Sequence, residues 1–365
     1  MSIVKIAYVV THPAYQVDGV TRKIRYQVEA WRRAGHEAEV FFITDGEKGD
    51  PPFSARIYDR KATGGRTEAY RKMISDIREV DPDLIYLRWQ YHRSEVTNLS
   101  KEFPVVVELN GDVLKTAKLI APTSLRRRLT YYHTRLTYPL LFRQAAGFVA
   151  VTHEVANLSY VRKWNRPSHV TPNSIRLAEF QVAPATGAMQ LPRIAFIGQV
   201  AAWHGVDKIV ELAKRTQGRI EIELIGASAS ELPECPPNLT CHGYLKPEDY
   251  LPVLAGCDVG LDGLALHRKG MEEACPLKVR EYMACGLPLI LSCRETAFEN
   301  QALPDWVLQI SNEDDNIERF SEEIVRFTQE MKGRRIPHRH SAPYFDVDVL
   351  EERKLAFFKE CLSTT

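Results

Sequence analysis

Two series of short β-branched runs, each interleaved with helix-periodic stretches, constrain the fold of this chain more than anything else in it. In the first series, Ile3–Val10, Ala38–Thr44, Leu84–Trp89, Val105–Leu109, Gly147–Thr152 and His169–Pro172 read as strands, with Gly19–Ala34 at helical period after the first. The second series starts over with Arg193–Ile197 and a helix through Asp207–Thr216. It continues through Ile220–Ile225, Leu239–Tyr244, Val259–Gly263, Leu287–Ser292 and Trp306–Ile310. Alternation of this kind implies parallel sheets covered by helices on both faces. The expected class is therefore α/β, with two Rossmann-like domains facing each other across a cleft. Residues 181–190 carry no charge and no apolar period, and mark a linker. The expected bodies are 1–185 and 186–345. A closing amphipathic helix, 346–365, with apolar Val349, Leu350, Leu355, Phe358 and Leu362, is expected to pack back toward the first domain.

Composition agrees with two soluble bodies. The 365 residues exceed what one hydrophobic core usually supports, and 44% hydrophobic with 26% charged residues excludes a disordered or collagenous chain. The formal charge of +1 is a cancellation. Residues 1–185 carry 28 Lys and Arg against 19 Asp and Glu, whereas 186–365 carry 20 against 28, so the halves stand at +9 and −8. The seven cysteines (Cys235, Cys241, Cys257, Cys275, Cys285, Cys293 and Cys361) lack zinc-site spacing and read as reduced thiols. No apolar run approaches the roughly 20 residues that cross a bilayer, and the first residues enter a strand-like stretch in place of a signal peptide. A cytoplasmic protein is expected.

In open parallel sheets, ligands bind beyond the carboxyl ends of the strands, where helix N-termini favour anions. Four segments lie there. The loop His12–Val20 has the single Gly19 at a helix entrance, either an ordinary loop glycine or a place where a phosphate or sugar comes close; it is not the G-x-G-x-x-G turn of a nicotinamide site. The matching loop, Gly198–Asp207, offers Gln199 and His204 as donors to phosphate oxygens ahead of a helix. Val105–Asp112 ends a strand in Asn110-Gly111-Asp112, which is either a plain turn or a pair of polar groups aimed at the cleft. Met271–Leu289 carries Glu273 and Glu281, eight residues apart, with Pro276 near a first helical turn. One reading is a pair of carboxylates for sugar diols; the other is a solvated charged face made by Glu272, Glu273, Lys278, Arg280 and Glu281.

Several of these runs, taken in order, resemble a known family. Glu273-x7-Glu281 followed by Tyr-Met-Ala-Cys-Gly-Leu-Pro resembles the E-x7-E signature of the retaining family-four glycosyltransferases, which have the GT-B fold. Gly35-His36-Glu37, Pro172-Asn173-Ser174, Trp203-His204-Gly205-Val206-Asp207 and Gly256-Cys257-Asp258-Val259 are similar to further motifs of that family. The resemblance implies transfer of a sugar, with retention and without a metal, from a nucleoside-diphosphate sugar (UDP or GDP) to a hydroxyl acceptor. Polysaccharide, glycolipid or glycoconjugate biosynthesis is the implied setting, and no cofactor or metal is implied. Gly19, Gln199 and His204 would meet the donor diphosphate, and Tyr244 and Leu245 the base. Glu273 would lie near the donor sugar with the N–H groups of Ala274 and Cys275. The N–H groups of Leu277 and Lys278 would meet phosphate, and Glu281 the ribose. Asn110 stands where many members have a histidine, so Glu273, Asn110 and Lys278 form the implied catalytic set. Gln199 and His204 replace a common Arg and Lys, and Lys278 is expected to compensate.

The acceptor would belong to the basic first domain. Residues 115–143 hold seven Lys and Arg, including Arg126, Arg127 and Arg128, and no acid, interleaved with leucines and tyrosines. Either this segment lies on an anionic membrane surface as a peripheral contact, or a helix pair buries its apolar stripe in the core and leaves the arginines in water. Glycan, lipid-linked and small-molecule acceptors all remain open; nucleic acid is not expected. A non-catalytic nucleotide-sugar or glycan-binding module and a GT-B nucleotide-sugar epimerase are the competing readings.

Overall fold

The computed structural model describes residues 3–15, 18–46, 51–62, 64–91, 93–184, 191–299 and 301–364. The chain divides into two compact units, Met1–Pro172 with Leu350–Thr365, and Asn173–Val349. The change of unit falls at 172/173 and not at 185. Asn173 is anchored in the second unit, where its Nδ2 donates to the Cys275 carbonyl at 2.5 Å and its own carbonyl accepts from Arg280 Nε at 2.7 Å. Ala183 N–H likewise donates to the Cys285 carbonyl at 3.0 Å. The linker expected at 181–190 lies from 185 onward outside the described residues.

Unit 1 is a seven-stranded parallel sheet in the order β3-β2-β1-β4-β5-β6-β7. Its elements run β1 (Lys5–Thr11), α1 (Gly19–Arg33), β2 (Glu37–Thr44), β3 (Arg56–Asp59), α2 (Gly65–Val80), β4 (Leu84–Arg88) and α3 (Ser94–Leu99). They continue β5 (Val105–Leu109), α4 (Val113–Ile120), α5 (Leu125–Phe142), β6 (Gly147–Ala150), α6 (His153–Ala156), α7 (Ser159–Arg162) and β7 (Ser168–Val170). β5 reads Val-Val-Val-Glu-Leu and is buried throughout, as a central strand covered on both faces requires. His36, in the expected Gly-His-Glu motif, is buried at the amino end of the sheet, where its Nδ1 accepts from Val4 N–H at 2.9 Å. It therefore braces the strand ends opposite those that bind ligands.

Unit 2 repeats the plan with six parallel strands in the order β10-β9-β8-β11-β13-β15. Its elements are β8 (Arg193–Ile197), α8 (Val206–Arg215), β9 (Glu221–Ile225), β10 (Leu239–Cys241), α9 (Pro247–Ala255), β11 (Val259–Leu261), β12 (Glu273–Ala274) and α10 (Leu277–Ala284). Then come β13 (Leu289–Leu291), β14 (Arg294–Glu295), β15 (Val307–Gln309), α11 (Asn316–Glu330) and α12 (His338–Phe345), and the last helix, α13 (Val347–Thr364), begins here and belongs to unit 1 from Leu350 on. β12 and β14 pair separately as a small parallel ribbon. Both large sheets reverse direction beside their first strand, the switch point of a Rossmann sheet.

From Leu350 onward α13 packs in unit 1. Trp31 Nε1 donates to Glu351 Oε2 at 2.8 Å, and Phe358 lies edge-on to Trp31 at 5.7 Å and against Tyr86 at 5.1 Å. The buried Glu351 is also held by Lys354 at 2.6 Å. Among the described residues no helix is long and apolar enough to cross a membrane.

Candidate nucleotide-sugar site

The carboxyl edge of the unit 2 sheet is shaped by glycines. Gly226, at φ +104, brings its Cα so close to Gly198 that a Cβ there would stand 2.9 Å from the Gly198 carbonyl oxygen. Its N–H donates to Gly243 at 2.7 Å, so the ends of β8, β9 and β10 form one tight shelf. Tyr244 and Leu245 follow Gly243 on that shelf, with Tyr244 70% exposed. An exposed aromatic beside bare backbone suits a flat base.

α10 is set on the sheet by Tyr282. A Cβ on Gly260 of β11 would meet the Tyr282 ring at 2.3 Å, so only glycine lets the helix sit this close. The Tyr282 hydroxyl accepts from Ile197 N–H at 2.7 Å and donates to the Leu261 carbonyl at 3.2 Å. This fixes the start of α10 beside the end of β8. The helix begins after Pro276, which offers no capping side chain, and so Leu277 and Lys278 stand in its first turn with no side-chain oxygen on their N–H groups.

Lys278 is the most unusual charged group along this edge. Its ammonium is buried, 4.1 Å from the centre of the Phe196 ring and 3.3 Å from Asp262 Oδ1, and among the described residues it makes no well-aligned hydrogen bond. Burial pulls its pKa down from the ordinary lysine value, and Asp262 opposes that shift. An ammonium held this way has donors to give to an incoming anion. His204 lies close enough to feel it: burial first and Lys278 second hold the imidazole below its ordinary pKa. Its Nδ1 lies 2.8 Å from the Gln199 carbonyl oxygen, which only accepts, so Nδ1 carries the proton and Nε2 presents a lone pair. The expectation that His204 donates to phosphate therefore needs correcting. The neutral ring cannot donate from Nε2, and it gains that ability only by taking up a second proton. The Gln199 side chain is exposed beside it.

The solvated-face reading of 272–281 fails. Lys278, Arg280 and Glu281 are buried, with Arg280 at 1% exposure gripping Glu295 through both terminal nitrogens at 2.5 and 2.9 Å. Arg280 also donates to Cys275 Sγ at 2.9 Å, and that sulfur accepts from Asn173 N–H at 2.9 Å. The turn carrying Ala274 and Cys275 is thus locked from behind. Glu281 accepts from Tyr250 Oη at 2.8 Å. Glu273 sits in β12 and not in a free loop, half-buried, 3.5 Å from Arg294 Nη2.

Unit 1 treats the same positions differently. Asp18 caps α1, accepting from Val20 and Thr21 N–H at 3.0 and 2.9 Å and pairing with His12 Nε2 at 2.8 Å. A carboxylate already stands on the helix entrance where Gly19 was expected to receive a diphosphate. Asn110 ends β5 as anticipated, and its Oδ1 accepts from Lys23 Nζ at 2.7 Å. Among the described residues its Nδ2 is buried without a hydrogen-bond partner. Asn110 therefore has amide N–H groups to donate and no means of removing a proton. Asp112, expected to point into the cleft, is buried instead, capping α4 through Lys115 N–H and accepting from Tyr160 Oη. Arg126 and Arg127 border an open pocket of about 710 Å³ together with Arg60 and Arg93, and Arg128 is exposed.

Sequence reasoning missed Asp262, Phe196, Tyr282 and the Arg280–Glu295 clamp. Only Gly260 carried a signal, since a glycine inside a strand marks close approach of another group.

Two parallel sheets in Rossmann order, one with a glycine shelf and an uncapped helix over a buried lysine, define a doubly wound α/β protein. Residues 191–330 match the family model for glycosyl transferases group 1. Among solved structures, the chain is similar to Anabaena Alr3699/HepE in complex with UDP and glucose, with a TM-score of 0.67 and 14% identity over 98% of this chain and 100% of that one. It is also similar to sucrose-phosphate synthase from Thermosynechococcus elongatus (TM-score 0.66, 14% identity, 99% and 100% covered). A third is the lipopolysaccharide outer core galactosyltransferase WaaB in its apo form (TM-score 0.62, 14% identity, 98% and 99% covered). Comparison with curated protein sequences gives no match. These likenesses show the fold, which is GT-B.

Proposed function

We propose that this protein is a retaining glycosyltransferase of family-four type, moving a sugar from a UDP- or GDP-sugar to a hydroxyl acceptor bound by unit 1. The observation that carries the reading is Lys278, a buried ammonium with uncommitted donors beside the uncapped start of α10. As the bond to the sugar breaks, negative charge builds on the departing diphosphate. Fixed N–H groups of Leu277 and Lys278, the α10 dipole and the Lys278 ammonium stabilise that charge where it forms, and preorganised stabilisation of this kind usually lowers a barrier more than any other device in a site. Glu281 takes the ribose diol, Tyr244 and Leu245 flank the base, and Gln199 and His204 line the diphosphate. Glu273, with the N–H groups of Ala274 and Cys275, holds the sugar. Glu273 and Glu281 are not a hydrolase pair, because one serves the ribose. The match of 191–330 to group 1 glycosyl transferases and the UDP in a similar structure support a nucleotide-sugar donor.

The test is a panel of UDP-, GDP-, dTDP- and ADP-sugars scored for nucleotide release with and without candidate acceptors, in the presence of EDTA. Acceptor-dependent release with an α product from an α donor is expected. Release of an altered donor sugar would identify an epimerase, and tight binding without turnover on any acceptor a binding module.

A further inference from the structure

The long helix α5 carries most of its apolar residues on the side away from the core. Its buried face is Thr134, Tyr138, Leu141 and Phe142. Leu125, Leu129, Tyr132, Leu136 and Leu140 are 71, 62, 54, 76 and 49% exposed. Placed at about 100° per residue, these five fall within an arc of about 80°, opposite the buried face. With Leu119 at the end of α4 they make six of the thirteen large exposed hydrophobic residues among those described. The core-packed alternative for this segment therefore fails: the stripe faces out.

Charge identifies what covers it. Arg126 flanks the stripe on one side and Arg128 and Arg135 on the other, all exposed, and no Asp or Glu occurs between Asp112 and Glu154. A second copy of this chain would set like charge against like charge along the whole contact. A bilayer with anionic headgroups satisfies both halves of the pattern, since leucines enter the acyl boundary while arginines reach the phosphates. A second observation agrees. The open pocket of about 710 Å³ at the start of α5 is bordered by Arg60, Arg93, Arg126 and Arg127, with Asp45 pairing to Arg60. Among the described residues, Arg60 Nε is buried there without a hydrogen-bond partner. That is a setting for a phosphate.

We propose that unit 1 docks on an anionic lipid bilayer through the exposed Leu125–Leu140 stripe of α5, with the adjoining arginine pocket receiving a lipid phosphate. The membrane contact does not depend on the donor chemistry, so the two readings stand or fall separately. The experiment is co-sedimentation of the full chain with vesicles of phosphatidylcholine alone and of phosphatidylcholine with phosphatidylglycerol. Partitioning to the anionic vesicles should exceed that to neutral ones by roughly a hundredfold and fall as salt is raised. The double substitution Leu129→Glu with Leu136→Glu, at positions already in water, should abolish it without changing the thermal midpoint. Arg126→Glu with Arg128→Glu should remove the preference for anionic lipid. Equal partitioning to both vesicle types would overturn the proposal, as would undiminished binding by the leucine variant. So would a lipid-free dimer, seen by sedimentation velocity, that the leucine variant dissolves.

Discussion

The two units are built on the same strand order and treat charge in opposite ways. In unit 1 the charges near the strand ends are tied to each other. Glu108 on β5 accepts from Lys23 Nζ and Tyr8 Oη, both at 2.7 Å, with Arg88 at 3.4 Å. Asp18 occupies the start of α1. In unit 2 the matching helix, α8, is capped by Gly205 at φ +70, with no side chain to offer, and Lys278 is left with donors to give. One topology thus carries a network of paired charges in unit 1 and, in the reading proposed above, an anion site in unit 2, according to whether side chains already occupy the donors. Charge count alone misleads, since the acidic half holds the diphosphate in this reading.

Breaking the closed network should cost most. Glu108→Gln leaves Lys23 and Arg88 buried without their counter-charge and should lower the stability of unit 1 by about 3–5 kcal/mol in urea unfolding. In the parent chain, Lys23 and Arg88 outweigh burial and hold the Glu108 carboxyl well below its ordinary pKa of 4.5. Its stabilisation is therefore complete above that pH and is lost on acidification, so the variant should show a flatter acid limb. A variant as stable as the parent would show that the network contributes nothing.

Opening the other side of the comparison, Lys278→Met should reduce kcat for any accepted donor by about 10²-fold or more, the cost of one preorganised donor at a developing oxyanion. Steady-state kinetics with the best donor decides it; unchanged kcat would move the charge stabilisation elsewhere. Asp18→Ala removes a cap and should cost about 1 kcal/mol of stability, read from the same urea curves. The smallest effect concerns pH. Because burial and Lys278 keep His204 neutral, a diphosphate between them reverses the local field and recruits a proton. Donor affinity should weaken as pH rises through neutrality, by no more than about tenfold per unit, and His204→Asn should lose the slope.

Much of the fold was legible because buried parallel strands are continuous β-branched runs: Val105–Leu109 and Arg193–Ile197 fall where periodicity puts them. β3 was not seen, being a short strand at the edge of the sheet with Arg56 and Asp59 at its ends. β12 and β14 are two residues each and leave no period to detect.

The sequence by itself determined two Rossmann-type sheets, the helix entrances that follow their first strands, and a segment rich in arginine and leucine without acids. Only the tertiary structure decided which charged groups are tied up and which are available. Lys23 and Lys278 are both buried lysines, but Lys23 meets Glu108 and Asn110 at 2.7 Å whereas Lys278 meets one carboxylate at 3.3 Å and an aromatic face. The same holds for the leucines of α5, whose period is that of a core helix and whose face is decided by Tyr138, Leu141 and Phe142 turning inward. The physical reason is that availability is a matter of partners, and partners come from residues as distant as the 85 positions between Lys23 and Glu108.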